Sequence, residues 1–257
     1  MKPKLNRRHF FSQSVLLSAG ASVAARAVEE PAVPVAPKKT TIEFGSRTKL
    51  PMGKIGNLSV SRLISGGNLI SGWAHSRDLQ YVASLMRAYN TEEKVLDTLQ
   101  LLEEHGINTI IADPRKKPMD IFARYWKERG GKIQWIAEGH PDLTDWKTNM
   151  RKSRDNGASA IYVQGVIGDR WYKEGRLEML GKCMDFIKSL GVPSGIGAHK
   201  LEVIMESEKN KFGAEFYVKT LHHTRYWSCR RPDQDQDVVE NRADNYWDLE
   251  PAKTIAF

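Results

Sequence analysis

The sequence predicts an α/β fold of the (β/α)₈ TIM-barrel type, with about six β/α units in this chain. From residue 60 onward, short runs rich in β-branched residues alternate with amphipathic segments of helical period. This alternation is typical of a parallel sheet whose strands are connected by helices. No glycine-rich phosphate-binding fingerprint follows the first strand, where Gly66, Gly67 and Asn68 stand. A barrel is therefore favoured over a doubly wound sheet.

The elements follow one another at a regular spacing. The first strand is expected at residues 60–65, and the first helix runs from its capping residue Thr91 to Glu104, before Gly106. The later strands are expected at residues 108–112, 133–137, 160–164, 194–198 and 215–220. The later helices are expected at residues 119–129, 144–155, 177–190 and 201–211, with an insert before residue 177 and a final helix near Glu250.

The number of units falls short of a closed barrel. A closed barrel of this type needs about eight β/α units. The last residues, Ile255, Ala256 and Phe257, have the pattern of a helix interior. We therefore expect residues 51–257 to form an incomplete, C-terminally truncated barrel with two exposed sheet edges.

The first 27 residues have the features of a twin-arginine signal peptide. Arg7 and Arg8 precede a weakly apolar stretch, and small residues flank Arg26 where a signal peptidase would cleave. Residues 28–50 contain evenly spaced prolines and should form an extended linker. The mature protein is then expected in the periplasm or outside the cell, after contact with the twin-arginine export machinery. The alternative is a chance arginine pair ahead of a buried helix.

The charge and the cysteines exclude several classes of protein. The net charge is +8, but residues 1–27 hold five of the 39 basic side chains and no acid, which leaves 34 against 31. Without a basic run interleaved with aromatics, nucleic acid is not an expected partner. No apolar run reaches the roughly 20 residues of a membrane span, so the mature form should not enter a membrane. Cys183 and Cys229 are too few for a disulfide scaffold, and either one disulfide or two thiols, the expected case, fits them.

Three stretches resemble the aldo/keto reductases. Residues 52–63, running into Gly66 and Gly67, are similar to the opening of that family, and residues 101–113 resemble its second repeat. Residues 195–198 are similar to its fifth strand. The resemblance implies a TIM barrel that reduces carbonyl compounds with NADPH, using an Asp, a Tyr, a Lys and a His at the ends of successive strands.

The chain departs from that catalytic tetrad at three of its four positions. Asp113 lies near the family's Asp, but no Tyr follows it; Glu138 stands where the family has Lys, and Gln164 replaces its His. Lys lowers the pKa of the Tyr that protonates the product, and a Glu would have the opposite effect. In such barrels the residues that bind the cofactor's phosphate belong to the last two units. The residues present therefore do not support NADP(H).

Polar residues at the predicted strand ends are the candidate site, because barrel enzymes place their chemistry there. We expect catalytic roles for Asp113, Glu138 and Lys219. The expected substrate-binding residues are Asn68, Gln164, Arg225 and Trp227. A divalent metal is a candidate cofactor, because carboxylates and imidazoles together suit such ions. Its ligands would be drawn from Asp113, Glu138, His140, His199 and His222.

Plainer interpretations stand beside these roles. Asp113 and His199 could each cap a helix, and His140 precedes a proline and could be a turn residue. Lys219 could be solvated rather than bind substrate oxygens or form a Schiff base. The aromatic loop that holds Arg225 and Trp227 could pack against the barrel rim instead of binding a ligand.

Three functions follow from this pattern. The first is an exported barrel similar to the aldo/keto reductases that acts on a small carbonyl or sugar-type compound without the usual tetrad. The second is a metal-dependent sugar isomerase, epimerase or hydrolase. The third is a non-catalytic binding barrel or pseudoenzyme.

Overall fold

The structure, a computed structural model, describes residues 50–76, 79, 81–223, 248 and 250–257. The predicted signal peptide, and the predicted linker apart from Leu50, lie outside these residues. The strands are β1 Met52–Ile55, β2 Leu58–Ser61, β3 Ser65–Gly66, β4 Thr109–Ala112, β5 Gln134–Gly139, β6 Ala160–Val163, β7 Ser194–Ala198 and β8 Phe216–Lys219. The helices are α1 Asn68–Ser71, α2 Val82–Tyr89, α3 Glu92–Glu104, α4 Lys116–Glu128, α5 Thr148–Asp155, α6 Gly165–Lys173, α7 Glu178–Ser189, α8 Leu201–Lys209 and α9 Pro251–Ala256.

Six parallel strands form one sheet in the order β3-β4-β5-β6-β7-β8, with helices between successive strands. The sheet is an open half-barrel, and among the described strands β3 and β8 are its edges. The predicted class, an α/β incomplete barrel of about six β/α units, is confirmed. Because all six strands run the same way, their carboxyl ends lie at one end of the sheet.

The prediction of a first barrel strand at residues 60–65 was wrong. Strands β1 and β2 instead pair antiparallel as a hairpin, with Ile55 opposite Leu58, and the first barrel strand is the short β3. The turn residue Gly56 has a φ of +53°, a conformation that favours glycine, and this allows the tight hairpin. Alternating apolar residues fit a hairpin and a barrel strand equally well, which explains the error.

The hairpin lies across the amino ends of the barrel strands. The carbonyl oxygen of Ser59 accepts hydrogen bonds from Asn108 (2.9 Å) and Gln134 (2.8 Å), next to the starts of β4 and β5. A Cβ at Gly56 would lie 2.8 Å from Pro193 and 2.7 Å from Glu215, which precede β7 and β8. Polar residues predicted at the strand ends, such as Glu138 and His199, lie at the opposite, carboxyl end of the strands.

The later elements match their predicted places within a few residues. Strand β7 has the predicted bounds, and the side chain of Thr91 accepts a hydrogen bond from the backbone N–H of Lys94, as a helix cap does. The insert after the fourth barrel strand proved to be a helix, α6, and the short helices α1 and α2 were not predicted. Among the described residues, no helix combines the length and the apolar character needed to cross a membrane.

Two apolar clusters hold the half-barrel together. The larger lies between the sheet and its helices, and its biggest members include Trp135, Trp171, Tyr125 and Phe122, all without exposed surface. The smaller is formed by Ile136, Ala160 and Tyr162, with the hairpin residues Ile55 and Leu58 packed against it. The hairpin therefore shares in the core of the domain.

Candidate functional site

A cavity of about 470 Å³ lies at the carboxyl ends of the strands. It is partly open and is lined by Asn68, Trp73, His75, Glu138, His140, Tyr162, Gln164, Gly165, Val166, Ala198, His199, Val218, Lys219 and Thr220. Its size is in the range of sites for small molecules.

The topology explains why these side chains meet. Asn68 follows β3, Glu138 lies near the end of β5, Gln164 follows β6, His199 follows β7 and Lys219 is the last residue of β8. Parallel strands bring residues that are far apart in sequence to one rim. Six residues proposed from the sequence lie on the cavity wall, namely Asn68, Glu138, His140, Gln164, His199 and Lys219.

Glu138 is held by three side-chain donors. Its Oε1 accepts hydrogen bonds from His140 Nε2 and Gln164 Nε2, both at 2.9 Å. Its Oε2 accepts one from the hydroxyl of Tyr162 at 2.8 Å. The side chain is 18% exposed, so the carboxylate is fixed but still reaches the cavity surface.

The surroundings of Glu138 keep it ionised. Burial acts to raise its pKa, but the hydrogen bonds from His140 and Tyr162 act against burial and leave the pKa of Glu138 lowered. The pKa of Tyr162 is raised well above its usual value by burial and by the neighbouring Glu138 charge. Tyr162 therefore stays protonated and donates, while Glu138 is an acceptor at neutral pH.

His199 and Asp169 form the second polar group. The Nδ1 of His199 lies 2.6 Å from Oδ2 of Asp169, whose side chain is 9% exposed. The backbone N–H groups of His199 and Lys200 also donate to this carboxylate, at 3.1 and 3.2 Å to Oδ1. Because a carboxylate can only accept, Nδ1 carries the hydrogen and Nε2 is the basic nitrogen. Asp169 thus fixes both the turn after β7 and the tautomer of His199.

Lys219 has a partly buried side chain with two hydrogen-bond acceptors. Its Nζ donates to the carbonyl oxygen of Thr220 (2.7 Å) and to Oδ2 of Asp248 (3.2 Å). The side chain of Lys219 is 9% exposed and that of Asp248 is 4% exposed. Burial acts to raise the pKa of Asp248, but its hydrogen-bond donors, including Lys219, leave that pKa lowered. Asp248 is therefore ionised beside Lys219, and the alternative of a solvated Lys219 is wrong.

Asp113 is not among the cavity-lining residues. Its carboxylate accepts hydrogen bonds from Ser71 (2.6 Å) and the indole nitrogen of Trp73 (3.3 Å), and it pairs with Arg115 at 3.2 Å. The guanidinium of Arg115 lies 4.4 Å from the centre of the Trp73 ring. Asp113 therefore holds Trp73, which does line the cavity, in place.

The remaining proposed residues are His222, Arg225 and Trp227. His222 is exposed, and its Nδ1 is 2.8 Å from the carbonyl oxygen of His223. Arg225 and Trp227 fall outside the described residues. Within the part of the chain that the structure describes, no three His, Cys, Asp or Glu side chains are grouped as a metal ion requires. The predicted metal set therefore stays a prediction.

Sequence reasoning did not single out four residues of this region: Trp73, His75, Tyr162 and Asp169. Trp73 and His75 come just after the first strand, and His75 Nε2 lies 2.8 Å from the amide of Asn68. Tyr162 lies within β6, so its polar end was not considered. Asp169 stood in the insert, where a helical pattern from Gly165 onward was a signal for the helix but not for the contact with His199.

The geometry thus defines an α/β half-barrel with a polar cavity at the carboxyl ends of its strands. A comparison with models of known protein families finds no match, and a search of curated proteins also finds none. The resemblance to the aldo/keto reductases therefore stays a prediction.

Proposed function

We propose that this chain is an enzyme that moves a proton on a small carbonyl or sugar-type compound, with His199 as the general base. The observation that carries the proposal is the hydrogen bond to Asp169 from His199, which lines the cavity. A histidine whose Nδ1–H is donated to a buried carboxylate has a fixed ring orientation and a fixed tautomer, with Nε2 as the basic nitrogen.

The reaction class follows from the groups around the cavity. His199 takes a proton from the carbon next to the substrate carbonyl, and the electron pair of that C–H bond forms an enolate. The ammonium group of Lys219, on the same wall, stabilises the negative charge on the enolate oxygen. In an epimerisation, water protonates the opposite face of the same carbon and His199 releases its proton to solvent. In an isomerisation, His199 returns the proton to the former carbonyl carbon while the proton of the neighbouring hydroxyl moves to the former carbonyl oxygen, and neither reaction consumes an oxidant.

The proposal is tested by solvent exchange. The purified chain is incubated in D₂O with a panel of aldoses, ketoses and 2-hydroxy ketones, and deuterium uptake next to the carbonyl is followed by NMR. We expect exchange with at least one compound and a loss of about 10²-fold or more in His199→Asn. His105→Asn is the control, because His105 is exposed and lies at the end of α3. Binding without exchange in the wild type would support a non-catalytic binding barrel instead.

Export through the twin-arginine route is part of the proposal and rests on the Arg7-Arg8 pair. Replacing both arginines with lysine keeps the charge but removes the motif. Cell fractionation should then find the double variant in the cytoplasm and the unchanged chain outside it. Equal distribution of the two would contradict the export proposal and leave the proposed chemistry untouched.

A further inference from the structure

The hydrogen bonds of Glu138 leave room for one more donor. A carboxylate offers about four acceptor positions, two on each oxygen. His140 and Gln164 occupy both positions on Oε1, while Tyr162 is the donor to Oε2 among the described residues. One position on Oε2 is therefore left for a group in the cavity, and an ionised carboxylate requires that this group be a donor.

The charges around the cavity disfavour an anion. Lys219 is paired with Asp248, and Arg115, stacked on Trp73, is paired with Asp113. Glu138 and Asp169, by contrast, are held by imidazoles, neutral side chains and backbone N–H groups. Glu138 is therefore a lining carboxylate with no Lys or Arg among its hydrogen-bond partners in the described part of the chain, and a phosphate or carboxylate placed against it would be repelled when His140 is neutral.

Trp73 adds an apolar surface to this wall. It is 45% exposed, and its indole nitrogen is anchored on the buried Asp113. A fixed aromatic ring of this kind suits the C–H face of a sugar ring or a similar flat apolar face. An acceptor for hydroxyl groups and an apolar platform in one cavity are the two elements that recognise a polyol.

We infer that the cavity takes an uncharged, polyhydroxylated carbonyl compound, one hydroxyl of which donates to Oε2 of Glu138, rather than a sugar phosphate or a sugar acid. This inference rests on the proposed function in one respect, namely that the ligand has a carbonyl group. The preference for an uncharged over a charged ligand is argued from the residues of the cavity wall alone. Glu138 is the specificity-determining residue.

The test compares matched ligands that differ at one position. Binding of glucose, glucose 6-phosphate and glucuronate, and of fructose and its 6-phosphate, is measured by ligand-observed NMR and calorimetry on the full chain. We expect an uncharged sugar to bind at least tenfold more tightly than its phosphate or acid. Glu138→Gln should weaken the binding of that uncharged sugar at least fivefold and reduce the ratio of its affinity to that of its phosphate or acid. Glu178→Gln, at an exposed position on α7, should change neither the affinity nor the ratio.

The wild-type comparison keeps the test decisive even if Glu138→Gln does not fold. Tighter or equal binding of the phosphates or acids, or binding of neither class, would overturn the inference. A chain that exchanges deuterium but does not discriminate by charge would keep the proposed function and lose this inference. A chain that discriminates but never exchanges would keep the ligand class and lose the proposed chemistry.

Discussion

At the scale of single residues, the carboxylate of Asp169 is the group that gives His199 its chemical character. It accepts from Nδ1 of the ring and from two backbone N–H groups, so it combines a structural and an orienting role. His199 was predicted from its place after the fifth barrel strand. Its partner was not, because nothing in a single sequence shows which carboxylate of an insert faces which imidazole.

Asp169→Asn separates the two roles. An asparagine can still accept from the backbone, but its amide would donate to Nδ1 and shift the ring hydrogen to Nε2. We expect the exchange rate to fall by roughly 10²- to 10⁴-fold with little change in ligand binding. Ring ¹⁵N shifts should report the changed tautomer. Asp185→Asn, at an exposed position on α7, is the control. A rate that falls only as far as the folded fraction falls would point to a structural role alone.

Glu138 makes stability depend on pH. Its pKa in the folded chain is below the ordinary value of 4.5, because the donated hydrogen bonds outweigh burial. The carboxylate therefore stabilises the fold above the pKa of the unfolded chain, and this contribution is lost as the pH falls through the lower folded pKa. We expect the free energy of unfolding to fall more steeply below pH 4.5 in the wild type than in Glu138→Gln. Parallel curves from urea unfolding would contradict this assignment.

At the scale of elements, helix α6 brings Asp169 to His199 because it packs directly on the backbone of β7. A Cβ at Gly168 would lie 2.4 Å from the carbonyl oxygen of Gly197, and one at Gly197 would lie 2.7 Å from the backbone of Gly165 and Val163. Contacts this close require glycine on both elements. The glycines are visible in the sequence, but the reason for them is the tertiary contact between α6 and β7, which a single sequence does not show.

Gly168→Ala should therefore be strongly destabilising. The added methyl group meets backbone, which cannot rotate away, and we expect a loss of about 3 kcal/mol in the free energy of unfolding. Denaturant unfolding followed by far-UV circular dichroism measures it. Gly66→Ala is the matched control, since nothing lies within 4 Å of its added Cβ, and it should change stability by less than about 1 kcal/mol. Equal effects of the two substitutions would refute the close packing of α6 on β7.

The elements also explain what the sequence could predict. Helix α3 and strand β7 were predicted well because the Thr91 cap and the place of residues 194–198 between two predicted helices agree with the tertiary structure. The first barrel strand was misplaced because β3 has only two residues and carries almost no pattern of its own. Strands paired in a hairpin were mistaken for it.

At the scale of the whole molecule, the topology decides which polar residues become neighbours. Strand order and direction could be predicted from the β/α alternation, and they bring Glu138, His199 and Lys219 to one cavity. Side-chain direction could not be predicted in the same way. Asp113 also follows a barrel strand, yet its carboxylate accepts hydrogen bonds from Ser71 and Trp73 and does not line the cavity.

Chemical rescue is the most direct test of His199 as the base. His199→Ala removes the imidazole and leaves space beside the cavity, which free imidazole in solution can fill. We expect the variant to retain ligand binding, to lose deuterium exchange by about 10²-fold or more, and to recover at least a tenth of it with saturating imidazole. A folded, ligand-binding variant that exchanges at the wild-type rate, or that imidazole does not rescue at all, would contradict the role of His199 as the base.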